Sequence, residues 1–261
     1  MTETILVTGG TGDIGRRVVP LLQAAGCHVR VLTRRGGVDS PGVHHVVGDT
    51  RRGRGIDAAM EGVSVVLHLA GGAKGDDAAA GHVVSAAASA GVRHVVLISV
   101  IGAGSVPVGY LRMKAAAERT VAEAGIPYTI LRVAQLHSLL LPIVEKMCRM
   151  PLVVAPRGVR LEPVDGDVVA ARLAELALAA PRGRVPDLAG PEVLGFDELV
   201  REVLDVAGRR RRIVSLPLPG AVGRAYRAGA NLATADFERR GSTWRAAALA
   251  SVLDAPVRDP R

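Results

Sequence analysis

Short apolar runs recur through the first half of the chain, each followed by a stretch in which apolar residues return every three or four positions. The runs ILVT (5–8), HVRVLT (28–33), HHVV (44–47), SVVLHLA (64–70), HVVLIS (94–99) and YTILR (128–132) read as strands. They are apolar on both faces, as buried parallel strands covered by helices on either side must be. Helical spacing predicts helices over 13–25, 77–90 and 109–124, each closing near a glycine: Gly26, Gly91 and Gly125. Pro20 falls inside the first, where its missing N–H predicts a bend. Strands alternating with helices predict an α/β protein with a doubly wound parallel sheet. After residue 133 the rhythm changes to proline-rich connections and shorter helices around 137–149, 167–180, 196–207 and 217–229. A single domain over 1–261 is expected, with a core at 1–133 and a small, mostly helical lid at 134–261 built on the same sheet.

Composition narrows the partners. Hydrophobic residues make up 49% and charged residues 22%, an ordinary globular balance. Aromatics reach only 2%, so packing rests on Val, Leu, Ile and Ala. The net charge of +8 is carried almost wholly by arginine, as in a GC-rich bacterial genome; the lysines are Lys74, Lys114 and Lys146. The basic run GRRRR (208–212) follows the helical FDELVREVLDVAG, where cations suit the carboxyl end of the dipole, so it is read as a solvated helix end and not as a nucleic-acid contact. Cys27 and Cys148 lack metal-like spacing and are read as reduced packing thiols; no metal is expected. MTETILVTGG lacks the basic region of a secretory leader, and no run approaches the roughly 18 apolar residues of a membrane span. A cytoplasmic monomer or homodimer, without membrane partners, is expected.

Candidate chemistry begins at TGGTGDIG (8–15), between the first strand and the first helix. Gly9 permits the tight turn, Gly12 lets backbone approach a pyrophosphate, and Gly15 lets helix pack on strand. With Thr11, Asp13 and Ile14 they form a candidate dinucleotide loop. An acid closing the second strand would bind the ribose 2′-OH of NAD, whereas a cation accommodates the 2′-phosphate of NADP. The residues there are Thr33, Arg34 and Arg35, which points to NADP(H) with Arg34 as the phosphate clamp. Asp49, after the third strand, is a candidate acceptor for the adenine amino group. Ala70, Gly71 and Gly72, after the fourth, are small enough for backbone to lie along the cofactor. A plain turn explains these last two groups nearly as well.

Tyr110 and Lys114 stand four apart at the start of a helix and so share a face. Ser99 ends the fifth strand, at the sheet edge where open α/β sheets bind ligands. An ammonium beside the phenol favours the phenolate, so Lys114 is expected to lower the Tyr110 pKa. Tyr110 would then give a proton to a substrate oxygen held by Ser99. Gln135 and His137 of VAQLHSLLL would contact substrate, with Leu139, Leu140 and Met147 as an apolar wall. Asp165 and Asp167 are read as helix caps.

These residues, with AASAGVRHVVLISVIGA, YLRMKAAAERTVAEAGIPYTILRVAQLHSLL and LEPVDGDVVA…LAGPEVLGFDELV, resemble the short-chain dehydrogenase/reductase superfamily, and in detail its atypical, NmrA-like NAD(P)-binding branch. The resemblance runs from about residue 4 to beyond 250. It implies a Rossmann-like core with the cofactor across its carboxyl edge, and Lys114 as a ribose ligand. A superfamily asparagine is not identifiable; His82 stands near its place. The leading expectation is an NADPH-dependent reductase of a hydrophobic or aromatic carbonyl or quinone, with Ser99, Tyr110 and Lys114 as its catalytic set. The branch also holds non-catalytic NADP(H) sensors, and a redox-neutral epimerase or dehydratase is a third reading.

Overall fold

Alternation along each strand decides how the sheet is covered. The computed structural model describes residues 3–72, 75–233 and 236–253. Its first half runs β1 (Thr4–Thr8), α1 (Asp13–Ala24), β2 (His28–Thr33), β3 (Val43–Val47), α2 (Ile56–Met60), β4 (Val65–His68), α3 (Asp76–Ser89), β5 (His94–Val100), α4 (Gly109–Glu123) and β6 (Tyr128–Val133). The second half runs α5 (His137–Cys148), β7 (Leu152–Arg157), β8 (Arg160–Leu161), α6 (Gly166–Leu178), β9 (Gly183–Arg184), β10 (Asp187–Ala189), β11 (Leu194–Gly195), α7 (Phe196–Val206), β12 (Arg212–Pro217), α8 (Gly220–Arg227), β13 (Phe237–Arg239) and α9 (Trp244–Leu253).

The six expected strands form at the expected places, and the expected helices begin and end within a few residues of their forecast limits. α1 continues through Pro20, which lies on its exposed side, where the carbonyl left without a partner can meet water. In the main sheet the order is β13-β10-β6-β5-β4-β1-β2-β3, with β9 also on β6, and every pairing is parallel. This is a Rossmann-like, doubly wound sheet. Because β1 lies between β2 and β4, the chain reverses direction of winding there and leaves a crevice at the strands' carboxyl ends.

Ile5, Val7, Val29, Val31, Val65 and Leu67 face α1 and α6 on one side of the sheet. Leu6, Leu32, Val66, Val95 and Leu97 face α2, α3 and α4 on the other. Fully burying each such side chain stabilises the fold by about 1.5–3 kcal/mol. A third apolar cluster gathers α5, α7 and α9 around Trp244, which is 1% exposed. The later half is not confined to helices: β10 extends the main sheet beside β6, and β7 pairs with β12 in a small sheet of their own. Five of these later strands are only two or three residues long, too short to be read locally, and in β7 and β12 the apolar residues are broken by proline and arginine.

Several local readings are met. Asp165 caps α6 by accepting from the Asp167 amide at 3.0 Å. Both cysteines are buried and unpaired. Arg209, Arg210 and Arg211 are exposed just past the end of α7. Among the described residues no helix is long and apolar enough to cross a membrane.

Candidate cofactor and active site

Two adjoining hollows, of about 380 and 430 Å³, lie along the carboxyl edge of the sheet and share Gly9, Gly12, Leu69 and Gly71 in their walls. The first carries Thr11, Arg34, Asp49, Ala70 and Gly72; the second carries Asp13, Ile14, Gly15, Ser99, Tyr110, Lys114 and Gln135. Thus the candidate residues drawn from seven separate stretches, His137 excepted, meet in one continuous cleft.

The loop is tight because its glycines touch backbone. A Cβ on Gly15 would stand 2.3 Å from the Gly9 carbonyl oxygen and 2.5 Å from the Gly10 Cα. Gly9 has φ +73°, and a Cβ there would meet the Ala70 amide nitrogen at 2.7 Å. Gly12 differs: a Cβ would meet only the Gly9 carbonyl oxygen, at 3.1 Å, and its φ of −76° suits any residue. Its lack of a side chain keeps the cleft open at the head of α1, which has no side-chain cap. Open amides at a helix N-terminus, with the dipole behind them, fit an anion such as a pyrophosphate.

At the far end of the first hollow, Arg34 and Arg51 are cations with no ion-pair partner among the described residues. Arg51 was not foreseen, since nothing in DTRRGRG distinguishes it from its neighbours. Asp49 lines the same hollow, but its Oδ1 accepts from the amides of Arg51 at 2.9 Å and Arg52 at 3.3 Å, so that oxygen serves its own turn.

In the second hollow Ser99, one residue before the end of β5, stands opposite Arg132 of β6. Its Oγ and the Gln135 Oε1 are buried polar atoms without a protein partner, and such atoms at a cleft are poised for a ligand. The Lys114 Nζ lies 5.8 Å from the Tyr110 ring centroid, yet it pairs at 2.9 Å with Asp76 Oδ2. Both partners are nearly inaccessible. Asp76 Oδ1 also accepts from the Gly72 amide at 2.7 Å. The expected lowering of the Tyr110 pKa is therefore not met. Although 36% of Tyr110 is exposed to the cleft, burial first and the Asp76 carboxylate second push its pKa up to about 12. Beneath the pair, the fully buried His68 is bonded through Nδ1 to the Thr8 hydroxyl at 2.6 Å, and burial with the nearby Lys114 charge lowers its pKa to about 3.

Two expectations are corrected. His137 lies outside both hollows: it is buried edge-on against Trp244, with ring centroids 5.9 Å apart, and burial lowers its pKa. The apolar wall is Leu139 with Leu136, Val108 and Leu111, while Leu140 and Met147 belong to the cluster around Trp244. Helical rotation places Leu139 and Leu140 on different faces of α5. His82 lines neither hollow, and its Nδ1–H is engaged in donating to the Thr50 carbonyl at 2.8 Å. Asp76 and Tyr226 were missed. Asp76 reads as an ordinary acid opening a helix, and Tyr226 reaches the cleft from α8, far along the chain.

Fold and cleft define a dinucleotide-binding protein of the Rossmann-like class. A family model described as NAD(P)H-binding matches residues 9–139, and the chain belongs to that family. It is 32% identical to the (4-alkanoyl-5-oxo-2,5-dihydrofuran-3-yl)methyl phosphate reductase of Streptomyces griseus, over 83% of this chain and 78% of the relative. It is 29% identical to the NAD(P)H azoreductase of Xenophilus azovorans, with the same coverage of both. The crystal structure of Citrobacter sp. triphenylmethane reductase complexed with NADP(H) superposes with a TM-score of 0.77 at 21% identity, over 94% of this chain and 98% of that one. All three are named as reductases, one for NAD(P)H and one in complex with NADP(H), and the expected NAD(P)-binding family is borne out.

Proposed function

We propose that the protein is an NADPH-dependent reductase of a hydrophobic carbonyl or quinone, with residues 134–261 forming the substrate side of one domain. The observation that carries this reading is the convergence of Ser99, Tyr110, Lys114 and Gln135 on the hollow that also holds the Gly9–Gly15 loop. NADPH, when bound, supplies the hydride. Arg34 and Arg51 offer charge-assisted hydrogen bonds to a 2′-phosphate, which favours NADPH over NADH. Ser99 would hold the substrate oxygen and Tyr110 would donate the proton, its raised pKa keeping the phenol protonated through neutral pH. Ile98, Val108, Leu111, Leu136 and Leu139 give the substrate an apolar seat, and Tyr226 an aromatic one.

The test is NADPH consumption by wild type and Tyr110→Phe over a panel of ketones, quinones and aromatic carbonyls, with NADPH affinity measured on both. Turnover lost in the variant while NADPH still binds is the expected result. Equal turnover would remove Tyr110 from the mechanism. Firm binding with no turnover by either protein would favour a sensor.

A further inference from the structure

We propose that the outer face of α5 and the arginines at its end attach the protein to an anionic lipid surface, and that the hydrophobic substrate enters the cleft from that surface. The attachment stands on geometry and charge; the route for the substrate rests on the reductase reading above.

α5 is apolar on two sides. Leu140, Leu141, Val144 and Cys148 are buried in the cluster around Trp244. On the opposite side Leu139, Ile143 and Lys146 follow at spacings of four and three, which stacks them on one face, and Met150 lies just past the helix end. Leu139 is 59% exposed, Ile143 47% and Met150 57%, and Lys146 is exposed beside them. Apolar residues scattered singly on a surface are ordinary, whereas a row of them along a helix about 18 Å long marks a binding face. The row begins at the cleft, since Leu139 lines the second hollow. It ends at Arg149, which with Pro151, Arg210, Arg211 and Arg212 lines an open hollow of about 440 Å³.

The charge along this face is positive. Lys146, Arg149, Arg210, Arg211 and Arg212 are exposed, and none has an ion-pair partner among the described residues. The acid of α5, Glu145, is turned aside and accepts from the Ser251 hydroxyl at 2.6 Å. Asp205 shares the adjoining hollow with Arg201, Arg209, Arg210 and Arg211, which outnumber it. A helix dipole accounts for a cation in the last turn of α5 or α7, but its effect fades within that turn, and Arg210, Arg211 and Arg212 stand beyond the end of α7 at Val206. A nucleic acid would match these arginines and leave Leu139, Ile143 and Met150 in water. A second copy placed by a two-fold axis would set the same cations against themselves, with no acid to meet them. An anionic bilayer matches both features: headgroup phosphates take the cations, and the acyl boundary takes the apolar row. Attachment by one face needs no spanning helix, so it replaces the expectation of no membrane partner. It also turns Leu139 and the mouth of the cleft towards the layer in which a hydrophobic carbonyl or quinone dissolves.

The test is cosedimentation of the full chain with phosphatidylcholine vesicles, with and without phosphatidylglycerol, in the absence of NADPH and substrate. Wild type is expected to bind the phosphatidylglycerol vesicles, to bind phosphatidylcholine alone far more weakly, and to be released by salt. Arg210→Gln and Arg211→Gln together should weaken binding about 25-fold, at about fivefold per cation, and Ile143→Ser about three- to tenfold. These positions are exposed and lie outside both hollows of the cleft, and thermal melts that match wild type confirm the fold of each variant. Equal binding to the two kinds of vesicle, or wild-type binding by the variants, overturns the proposal. So does duplex DNA binding that exceeds vesicle binding at the same salt and ignores Ile143→Ser, or a dimer in solution that Ile143→Ser dissociates, which would give the face to a second copy. For the route, a long-chain alkyl quinone dissolved in the phosphatidylglycerol vesicles should be reduced about three- to tenfold more slowly by Ile143→Ser than by wild type, with a water-soluble quinone reduced equally by both. Equal rates on the membrane-dissolved quinone would overturn the route. If the reductase reading itself fails, neither quinone turns over and the sedimentation results stand.

Discussion

Gly12 and Gly15 lie in one loop and carry different burdens, and substituting each with alanine separates cofactor binding from folding. In Gly15→Ala the new methyl meets the Gly9 carbonyl oxygen at 2.3 Å and Gly10 backbone at 2.5 Å. Backbone cannot rotate aside as a side chain can, so α1 must move off β1. Overpacking of this kind costs about 1–3 kcal/mol, and the better helix propensity of alanine returns up to about 1 kcal/mol. A net loss of about 1–2 kcal/mol corresponds to a fall in Tm of about 2–8 °C at this chain length. Because the same movement displaces the amides at the head of α1, NADPH affinity should fall with it. In Gly12→Ala the methyl has only one protein neighbour, at 3.1 Å, and an allowed φ, so Tm should stay within about 2 °C of wild type. The methyl instead enters the space proposed for the pyrophosphate, and on that placement affinity should fall at least about tenfold, or 1.4 kcal/mol. Thermal melts and NADPH fluorescence titrations on the three proteins give both quantities. Unchanged NADPH binding in Gly12→Ala would refute the placement of the pyrophosphate, and an unchanged Tm in Gly15→Ala would refute the packing argument.

Two further outcomes test other parts of the cleft. Arg34→Ala should weaken NADPH binding about 10- to 100-fold, as loss of charge-assisted hydrogen bonds worth about 1.5–3 kcal/mol requires, and leave NADH binding nearly unchanged; equal losses for both cofactors would take Arg34 off the 2′-phosphate. Buried His68 binds its proton in the folded protein only near pH 3, whereas unfolded it does so near its ordinary value of about 6.5. The unfolded state therefore holds more protons between these values, and stability should decline as pH falls from about 6.5 towards 3. Denaturant melts across that window should show a shallower acid limb for His68→Asn, at some cost in stability at neutral pH from the lost Thr8 bond; a wild-type slope in the variant would contradict the buried neutral ring.

Local pattern determined much of this protein. Six short, nearly continuous apolar runs and the helices between them, with their period of about 3.6, are carried within each segment, and a parallel sheet follows because those runs are apolar on both faces. The loop at Gly9–Gly15 is likewise local, since a strand, a turn and a helix start within a dozen residues state its geometry. Even the cation at Arg34 needs only its position after β2. What the tertiary structure decided are the partnerships between segments. Tyr110 and Lys114 share a face by helix geometry, but which neighbour takes the ammonium depends on the head of α3 meeting α4, and that made Asp76 a partner and reversed the expected shift of Tyr110. His137 looked available beside Gln135; one further step around the chain turned it from the cleft into the cluster around Trp244, a residue that sequence does not place near it. Arg51 and Tyr226 reach the cleft, and β10 and β13 join the sheet, through the same kind of long-range packing. Such contacts are selected by shape and burial across the whole core, and no spacing within a segment encodes them.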